Sequence, residues 1–82
     1  MIQVTVKFFA FARDLAGVDQ LSLTLPERST AAFVLEEVAL QHPSFLHWKS
    51  HLRLAVNCEY VSLSYLMQDN DEVAIIPPVS GG

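Results

Sequence analysis

The sequence has few cysteines, glycines and basic residues, and these shortages exclude several classes of protein. One cysteine, Cys58, leaves no partner for an intramolecular disulfide, which is typical of a reducing compartment. Five Lys and Arg against nine Asp and Glu give a formal net charge of −4 without a basic stripe, so nucleic acid is not expected as a partner. No apolar run approaches the ~20 residues of a membrane span and no signal-peptide pattern opens the chain, so we expect a cytoplasmic protein with no membrane partner.

The chain does contain enough apolar side chains for one core, because 51% of its 82 residues are hydrophobic and the length allows a single domain. Alternating apolar and polar residues predict a first strand over residues 2–9 and a second over residues 20–25, which Pro26 ends. The connection between them has room for a short helical turn ending at Gly17, and its brevity favours an antiparallel pair. The inward positions of the first strand are Ile2, Val4, Val6 and Phe8.

One main helix is predicted over residues 30–42. Ser29 or Thr30 is a typical N-cap, and Pro43 disfavours a helical residue before it. The spacing i, i+3, i+4 and i+7 predicts a buried helix face formed by Ala31, Val34, Leu35 and Val38.

The second half of the chain predicts shorter strands. They cover residues 54–56 and 60–61, and the last strand covers residues 72–76 after a turn in which Asn70 tolerates the left-handed conformation. Residues 43–52 are irregular apart from one helical turn. The resulting order of elements predicts an α+β fold, a ubiquitin-like β-grasp roll in which one main helix packs on one face of a mixed sheet.

The C-terminal tail is the most informative feature of the sequence. Only three glycines occur, and Gly81 and Gly82 are two of them, an ending expected by chance in about 0.5% of chains when glycine usage is about 7%. Pro77 and Pro78 hold the exit from the last strand extended, and glycines fit a narrow channel in another protein. The Gly82 carboxylate can then be adenylated with ATP and attacked by a nucleophile. The alternative is a frayed end without a function.

Three stretches of the sequence resemble the MoaD-type sulfur carriers, the small-subunit family of molybdopterin synthase. Residues 6–17 are similar to the family's Phe-Phe-Ala…Arg-Glu…Gly opening, and residues 54–57 with Val61 form the second stretch. Residues 69–82, which end in Pro-Pro-Val-Ser-Gly-Gly, are the most specific part. Asn70 stands where the family commonly has glycine, and we expect the exchange to be harmless at a left-handed turn position.

The resemblance implies a single MoaD/ThiS-like β-grasp domain over residues 1–82, with a flexible tail from about residue 77. It implies that an E1-like adenylating enzyme uses ATP to adenylate Gly82 next to Gly81, and that a sulfur-donating enzyme supplies the sulfur of a thiocarboxylate. That group would donate sulfur to a cyclic pterin precursor and form the dithiolene of molybdopterin. The catalytic residues would lie on the synthase large subunit, expected in a heterotetramer, so this chain would be a non-catalytic donor with no bound cofactor or metal.

Apolar side chains at outward strand positions predict a docking surface for a partner. Phe9 and Ile76 lie on the outward faces of the first and last strands, and Tyr60 is a candidate to join them. Arg13, which matches the family's arginine, is a candidate for a charged contact at the rim. The alternative is that isolated exposed aromatics are ordinary surface features. The partner-binding set is completed by the tail residues Pro77, Pro78, Val79 and Ser80.

Other functions share parts of this pattern. A carrier of the thiamine or tRNA-thiolation pathway would use the same chemistry at Gly82, and a ubiquitin-like protein modifier would use the same ending for conjugation to lysines. A plain interaction domain would have a tail without a role. The Phe-Phe-Ala…Arg opening and the Pro-Pro-Val ending favour the molybdopterin pathway.

Several residues are weaker candidates for chemistry. His47 and His51 have no evident third or fourth metal ligand, and Cys58 has no base at a recognisable spacing, so we expect surface histidines and a partly buried thiol. The acidic turn at residues 69–72 lacks the glycine and the later glutamate of an EF-hand, so we expect a solvated turn. A satellite hydrophobic cluster, rather than a ligand platform, is expected for Phe45 and Trp48.

Overall fold

The computed structural model describes residues 1–77, which form one mixed five-stranded sheet and two α-helices. Two short 3-10 helices, Pro43–His47 and Lys49–His51, occupy most of the stretch that showed no regular period. The strands are β1 (Ile2–Phe8), β2 (Gln20–Leu25), β3 (Arg53–Val56), β4 (Glu59–Val61) and β5 (Glu72–Ile76), and the α-helices are α1 (Ala10–Ala16) and α2 (Ala31–Gln41).

The sheet has the strand order β2-β1-β5-β3-β4. β1 pairs antiparallel with β2 and parallel with β5, whereas β3 pairs antiparallel with both β5 and β4. The predicted α+β, ubiquitin-like β-grasp fold is confirmed, with an antiparallel first pair and one main helix on one face of a mixed sheet. β5, the last strand in the sequence, is the middle strand in space.

A capping hydroxyl sets the start of the main helix, α2, and a proline follows its end. The hydroxyl of Thr30 accepts a hydrogen bond from the backbone N–H of Phe33 at 3.2 Å and so caps the first turn of α2. At the other end the N–H of His42 donates to the carbonyl of Val38 at 2.8 Å, and Pro43 follows. Both predicted ends of the helix are therefore confirmed to within a residue.

The core lies between α2 and the inward face of the sheet. Phe8 stacks on Phe45 with the ring centroids 5.5 Å apart, and Phe45 has no exposed surface. The prediction of a satellite cluster is wrong for Phe45, because the 3-10 helix after α2 turns this ring into the main core. Trp48 lies half-buried at the border of the core, edge-on to Phe11 at 5.0 Å.

The connection between β1 and β2 is a complete helix of seven residues, α1, where the sequence predicted only a helical turn. The helix ends at Gly17, whose φ of 76° lies in the left-handed region and whose N–H donates to the carbonyl of Arg13 at 2.8 Å. Its periodic signal is weak because Ala12 alone is fully buried on α1.

Hydrogen bonds fix the turn before β5. The Asp71 carboxylate accepts from the Asn57 side-chain amide at 2.9 Å and from the Gln68 N–H at 2.8 Å. The carbonyl oxygen of the Asn57 side chain in turn accepts from the Glu72 N–H at 3.0 Å. Asn70 has a φ of 70°, as its left-handed turn position predicts. The expectation of a solvated turn is wrong for Asp71, which retains 6% exposure because its oxygens bind these two donors.

Asn57 and Cys58 form the two-residue turn between β3 and β4, with φ values of 50° and 74°. Two consecutive left-handed residues are typical of a type I′ hairpin turn. The side chain of Cys58 is exposed, so the prediction of a partly buried thiol is wrong.

Candidate docking face and C-terminal arm

The position of β5 decides where the C-terminal arm leaves the domain. β5 lies between β1 and β3, with Ile75 paired to Phe8 and Ile76 paired to Arg53. The chain therefore leaves the sheet in its middle, between the end of β1 and the start of β3. Pro77, the last described residue, is half-buried there.

The reactive part of the predicted site, Gly81 and Gly82, lies outside the described residues. The same holds for Pro78, Val79 and Ser80, and for the predicted flexibility of the tail.

The sheet has one face against the core and one open face. On β5 the inward residues Val73 and Ile75 have no exposed surface, whereas Ala74 and Ile76 alternate with them on the open face. The strand register places Ala55 opposite Ala74 and Tyr60 opposite Ala55. We call the surface formed around the exit of the arm the apolar face; it consists of Phe9, Ala55, Tyr60, Ala74 and Ile76.

Of the three predicted docking residues, Phe9 and Ile76 lie at this exit, and Tyr60 lies on β4, on the far side of β3. Ile76 is half-buried and Tyr60 is 68% exposed. β1 ends at Phe8, one residue earlier than predicted, and Phe9 precedes α1 in an extended conformation with 53% of its surface exposed. Because Phe9 and Ile76 directly follow the paired residues Phe8 and Ile75, they continue the same register.

The other half of the open face is polar. The register pairs Gln3 with Thr24, Thr5 with Ser22 and Lys7 with Gln20 across β1 and β2. An ion pair of 3.2 Å between Lys7 and Glu72 lies between this polar half and the apolar face. A partner that uses the apolar face would therefore be centred on β5, β3 and β4.

Arg13 lies on α1 and forms an exposed ion pair of 3.3 Å with Asp19. Exposed pairs of this kind contribute about 0–1 kcal/mol, so the pair could exchange for a contact with a partner at little cost. The role of Arg13 at the rim of the docking surface stays a prediction.

The sequence reasoning missed Arg53, which opens β3 on the open face opposite Ile76. The predicted third strand began one residue later, at Leu54. Extending the alternation back by one residue would have placed Arg53 on the same face as Ala55. Arg53 and Tyr60 also line a shallow groove of about 260 Å³ at the edge of the sheet.

The weaker candidates remain outside this site. Within residues 1–77, no group of three or more His, Cys, Asp or Glu side chains is placed to hold a metal ion. His47 and His51 lie on separate 3-10 helices and are both exposed. No helix in this described part of the chain is long and apolar enough to cross a membrane.

The connection between β4 and β5 contains one tyrosine with a perturbed acidity. Burial, followed by the negative charge of Asp71 and a hydrogen bond to it, raises the pKa of Tyr65 above its ordinary value of 10.0. The backbone carbonyl of Tyr65 also accepts from the N–H of Ala31 at the start of α2, at 2.9 Å. Tyr65 therefore ties this connection to the domain and does not belong to the apolar face.

Solved structures resemble the fold over nearly the whole chain. A protein of Pyrococcus furiosus provisionally described as molybdopterin converting factor, subunit 1, superimposes with a TM-score of 0.87 at 34% identity, covering 96% of this chain and 100% of that one. Small archaeal modifier protein 1 of Methanosarcina acetivorans has a TM-score of 0.83 at 28% identity, with 100% and 98% covered. A Helicobacter pylori complex of subunits 1 and 2 of molybdopterin-converting factor contains a chain with a TM-score of 0.68 at 21% identity, with 99% and 100% covered.

Curated relatives extend this similarity to the sequence. The molybdopterin synthase sulfur carrier subunit of Arabidopsis thaliana is 44% identical over 81 residues, covering 99% of this chain and 84% of the relative. The corresponding human subunit is 33% identical over 85 residues, covering 100% and 97%. The profile of the ThiS family matches residues 6–82. The chain therefore belongs to the ThiS family of ubiquitin-like β-grasp proteins.

Proposed function

We propose that this chain is the sulfur carrier subunit of a molybdopterin synthase, with Gly82 as the residue that carries the sulfur. The observation that carries the proposal is the exit of a Pro-Pro-Val-Ser-Gly-Gly arm from the middle strand, beside an apolar face. The similarity to carrier subunits over essentially the full chain supports the same function.

The chemistry of the proposal takes place at the terminal carboxylate. An E1-like adenylating enzyme joins the Gly82 carboxylate to the AMP part of ATP and releases pyrophosphate. A sulfur-donating enzyme then supplies sulfur at the oxidation level of sulfide, which attacks the acyl carbon, displaces AMP and leaves a thiocarboxylate. Each thiocarboxylate donates one sulfur atom to a cyclic pterin precursor: the sulfur bonds to a carbon of the precursor, and water then cleaves the acyl–sulfur bond and returns the Gly82 carboxylate. Two carriers in turn therefore place sulfur on two neighbouring carbons, which form the dithiolene of molybdopterin. ATP is consumed by the activating enzyme, and this chain itself holds no cofactor.

The proposed partner is the large subunit of the synthase, which would supply the catalytic residues. The apolar face would dock on it, and the arm would enter its active site. Five residues follow Pro77, so Gly82 can lie at most about 17 Å from the edge of the sheet. The Helicobacter pylori complex of two converting-factor subunits supports a partnership of this kind, and a heterotetramer would place one such arm in each large subunit. We propose the cytosol as the site of action, where the free thiol of Cys58 stays reduced.

The test uses this chain carrying a C-terminal thiocarboxylate. It is mixed with the synthase large subunit of the same organism and the cyclic pterin precursor, and the dithiolene product is assayed. The matched control is the chain without Gly82, carried through the same activation reaction. We expect product with the full chain and none with the control. If the full chain gives no product while the large subunit is active with another carrier, the molybdopterin pathway is refuted.

A second candidate is a protein modifier, favoured by the similarity to small archaeal modifier protein 1 at 28% identity. A modifier would use the same activated Gly82 but form an isopeptide bond with a lysine. Mass spectrometry of tryptic peptides from cells that express the chain would detect this product. A thiamine or tRNA-thiolation carrier would instead transfer sulfur without the pterin precursor.

A further inference from the structure

Arg53 adjoins the apolar face, at a position where its charge decides what can cover that face. Arg53 opens β3 directly opposite Ile76, the last residue of the strand that leads into the arm. It lies diagonally from Tyr60 across the β3–β4 pair, within reach of a long side chain. A partner that covers Ile76 and Tyr60 must therefore also cover the guanidinium of Arg53.

No carboxylate within residues 1–77 neutralises this guanidinium. Among the described residues, three of the five Lys and Arg side chains have carboxylate partners: Lys7 with Glu72, Arg13 with Asp19 and Lys49 with Glu36. Arg53 has none in that part of the chain. Glu72, the acidic residue of β5, lies four residues before Ile76, about 13 Å away along the strand. It is already engaged by Lys7.

Covering Arg53 without a partner group would cost binding energy. A guanidinium keeps its proton at any physiological pH, so it cannot become neutral when water is removed. Burying such a charge unpaired is strongly unfavourable, whereas a carboxylate can accept two parallel hydrogen bonds from the guanidinium.

We propose that Arg53 is a specificity-determining residue of the apolar face, and that the covering partner presents a carboxylate to it. The inference rests on the proposed function, because the partner meant is the synthase large subunit. A large subunit with an apolar side chain at this point would bury an unpaired charge and bind poorly. Arg53 would thus select the matching large subunit without touching the sulfur.

The test measures binding of the large subunit from the same organism to Arg53→Gln, Arg53→Glu and Arg53→Leu by isothermal titration calorimetry. The matched control is Arg28→Glu, because Arg28 also lacks an ion-pair partner within residues 1–77 but lies in the turn after β2. We expect Arg53→Glu to weaken binding by about 30-fold or more and Arg53→Gln by less. Arg28→Glu should stay within about twofold, as expected of a charge outside the interface. Melting temperatures identify any variant that fails to fold. If Arg53→Glu or Arg53→Leu does not fold, the affinity of Arg53→Gln is compared with that of the unchanged chain instead.

Two results would overturn the inference. One is an Arg53→Leu variant that binds as tightly as the unchanged chain, since the partner would then present an apolar surface at this point. The other is an effect of Arg53→Glu that disappears when residues 78–82 are deleted, since Arg53 would then pair with the arm of its own chain.

The sulfur-transfer assay distinguishes a failure of the role of Arg53 from a failure of the proposed function. Transfer by the unchanged chain, with no loss of affinity on changing Arg53, refutes the role of Arg53 alone. If the unchanged chain neither binds the large subunit nor transfers sulfur, the proposed function fails and the role of Arg53 fails with it.

Discussion

Replacing Asp71 by alanine tests whether a buried carboxylate holds the turn that leads into β5. Its two oxygens accept hydrogen bonds from the Asn57 side chain at 2.9 Å and from the Gln68 N–H at 2.8 Å, and the residue is 6% exposed. Alanine would remove both acceptor oxygens and leave these two donors, together with the Tyr65 hydroxyl, without this partner. Hydrogen bonds to a charged group contribute about 1.5–3 kcal/mol each, and water would recover part of the loss. We therefore expect the free energy of unfolding to fall by about 2–4 kcal/mol.

Urea unfolding followed by circular dichroism measures this loss. The control is Asp69→Ala in the same turn, because the exposed Asp69 accepts one hydrogen bond, from the Gln3 N–H at 2.8 Å. It should lose about 0.5–1.5 kcal/mol. If Asp71→Ala loses no more than Asp69→Ala, the buried carboxylate does not organise the turn and the reasoning is refuted.

Deletion of Gly82 should abolish sulfur transfer without changing the melting temperature, because the residue lies beyond β5; a large drop in melting temperature would contradict this. Phe9→Lys and Ile76→Lys should each weaken binding of the large subunit by about tenfold or more, whereas Thr24→Lys on the polar half should not; equal affinities in calorimetry would remove the apolar face as the docking surface. The raised pKa of Tyr65 means that the folded state keeps a proton that the unfolded state loses above about pH 10. The free energy of unfolding should therefore be fully present below that pH and fall as pH rises through the folded-state pKa of Tyr65. Urea unfolding of Tyr65→Phe should show a smaller fall over the same pH range, and an equal fall in both proteins would contradict a role of Tyr65.

The regular elements could be predicted from the sequence because each has one buried face. Alternation identified β1, β2 and β5, and the i, i+3, i+4 spacing identified α2 with its cap at Thr30. Pro43 ended that helix for a purely local reason. Each element can be recognised from its own segment of sequence, because a buried face requires apolar residues at every second position of a strand or every third to fourth position of a helix.

The elements that were missed have no such period. The 3-10 helix Pro43–His47 is too short to repeat a pattern, so the burial of Phe45 against Phe8 could not be read from its neighbours in sequence. The burial of Asp71 depends on Asn57, fourteen residues away, whose side chain reaches it only after β3, β4 and β5 are assembled. A charged residue in an acidic turn is ordinarily solvated, but Asp71 is buried because it accepts hydrogen bonds from Asn57 and Gln68 in the folded protein.

The sequence by itself determined the strands, the main helix and the Gly81-Gly82 ending, because period, capping and composition are properties of local segments. Only the tertiary structure decided that the last strand lies between the first and the third, since strand order follows from contacts between distant residues. That placement sets the end of β5, from which the arm leaves, beside Phe9 and on the same face of the sheet as Tyr60. It also puts Arg53 opposite Ile76, next to the exit of the arm. Alternation along the sequence could predict on which face of the sheet Arg53 lies, but not which strand lies beside it.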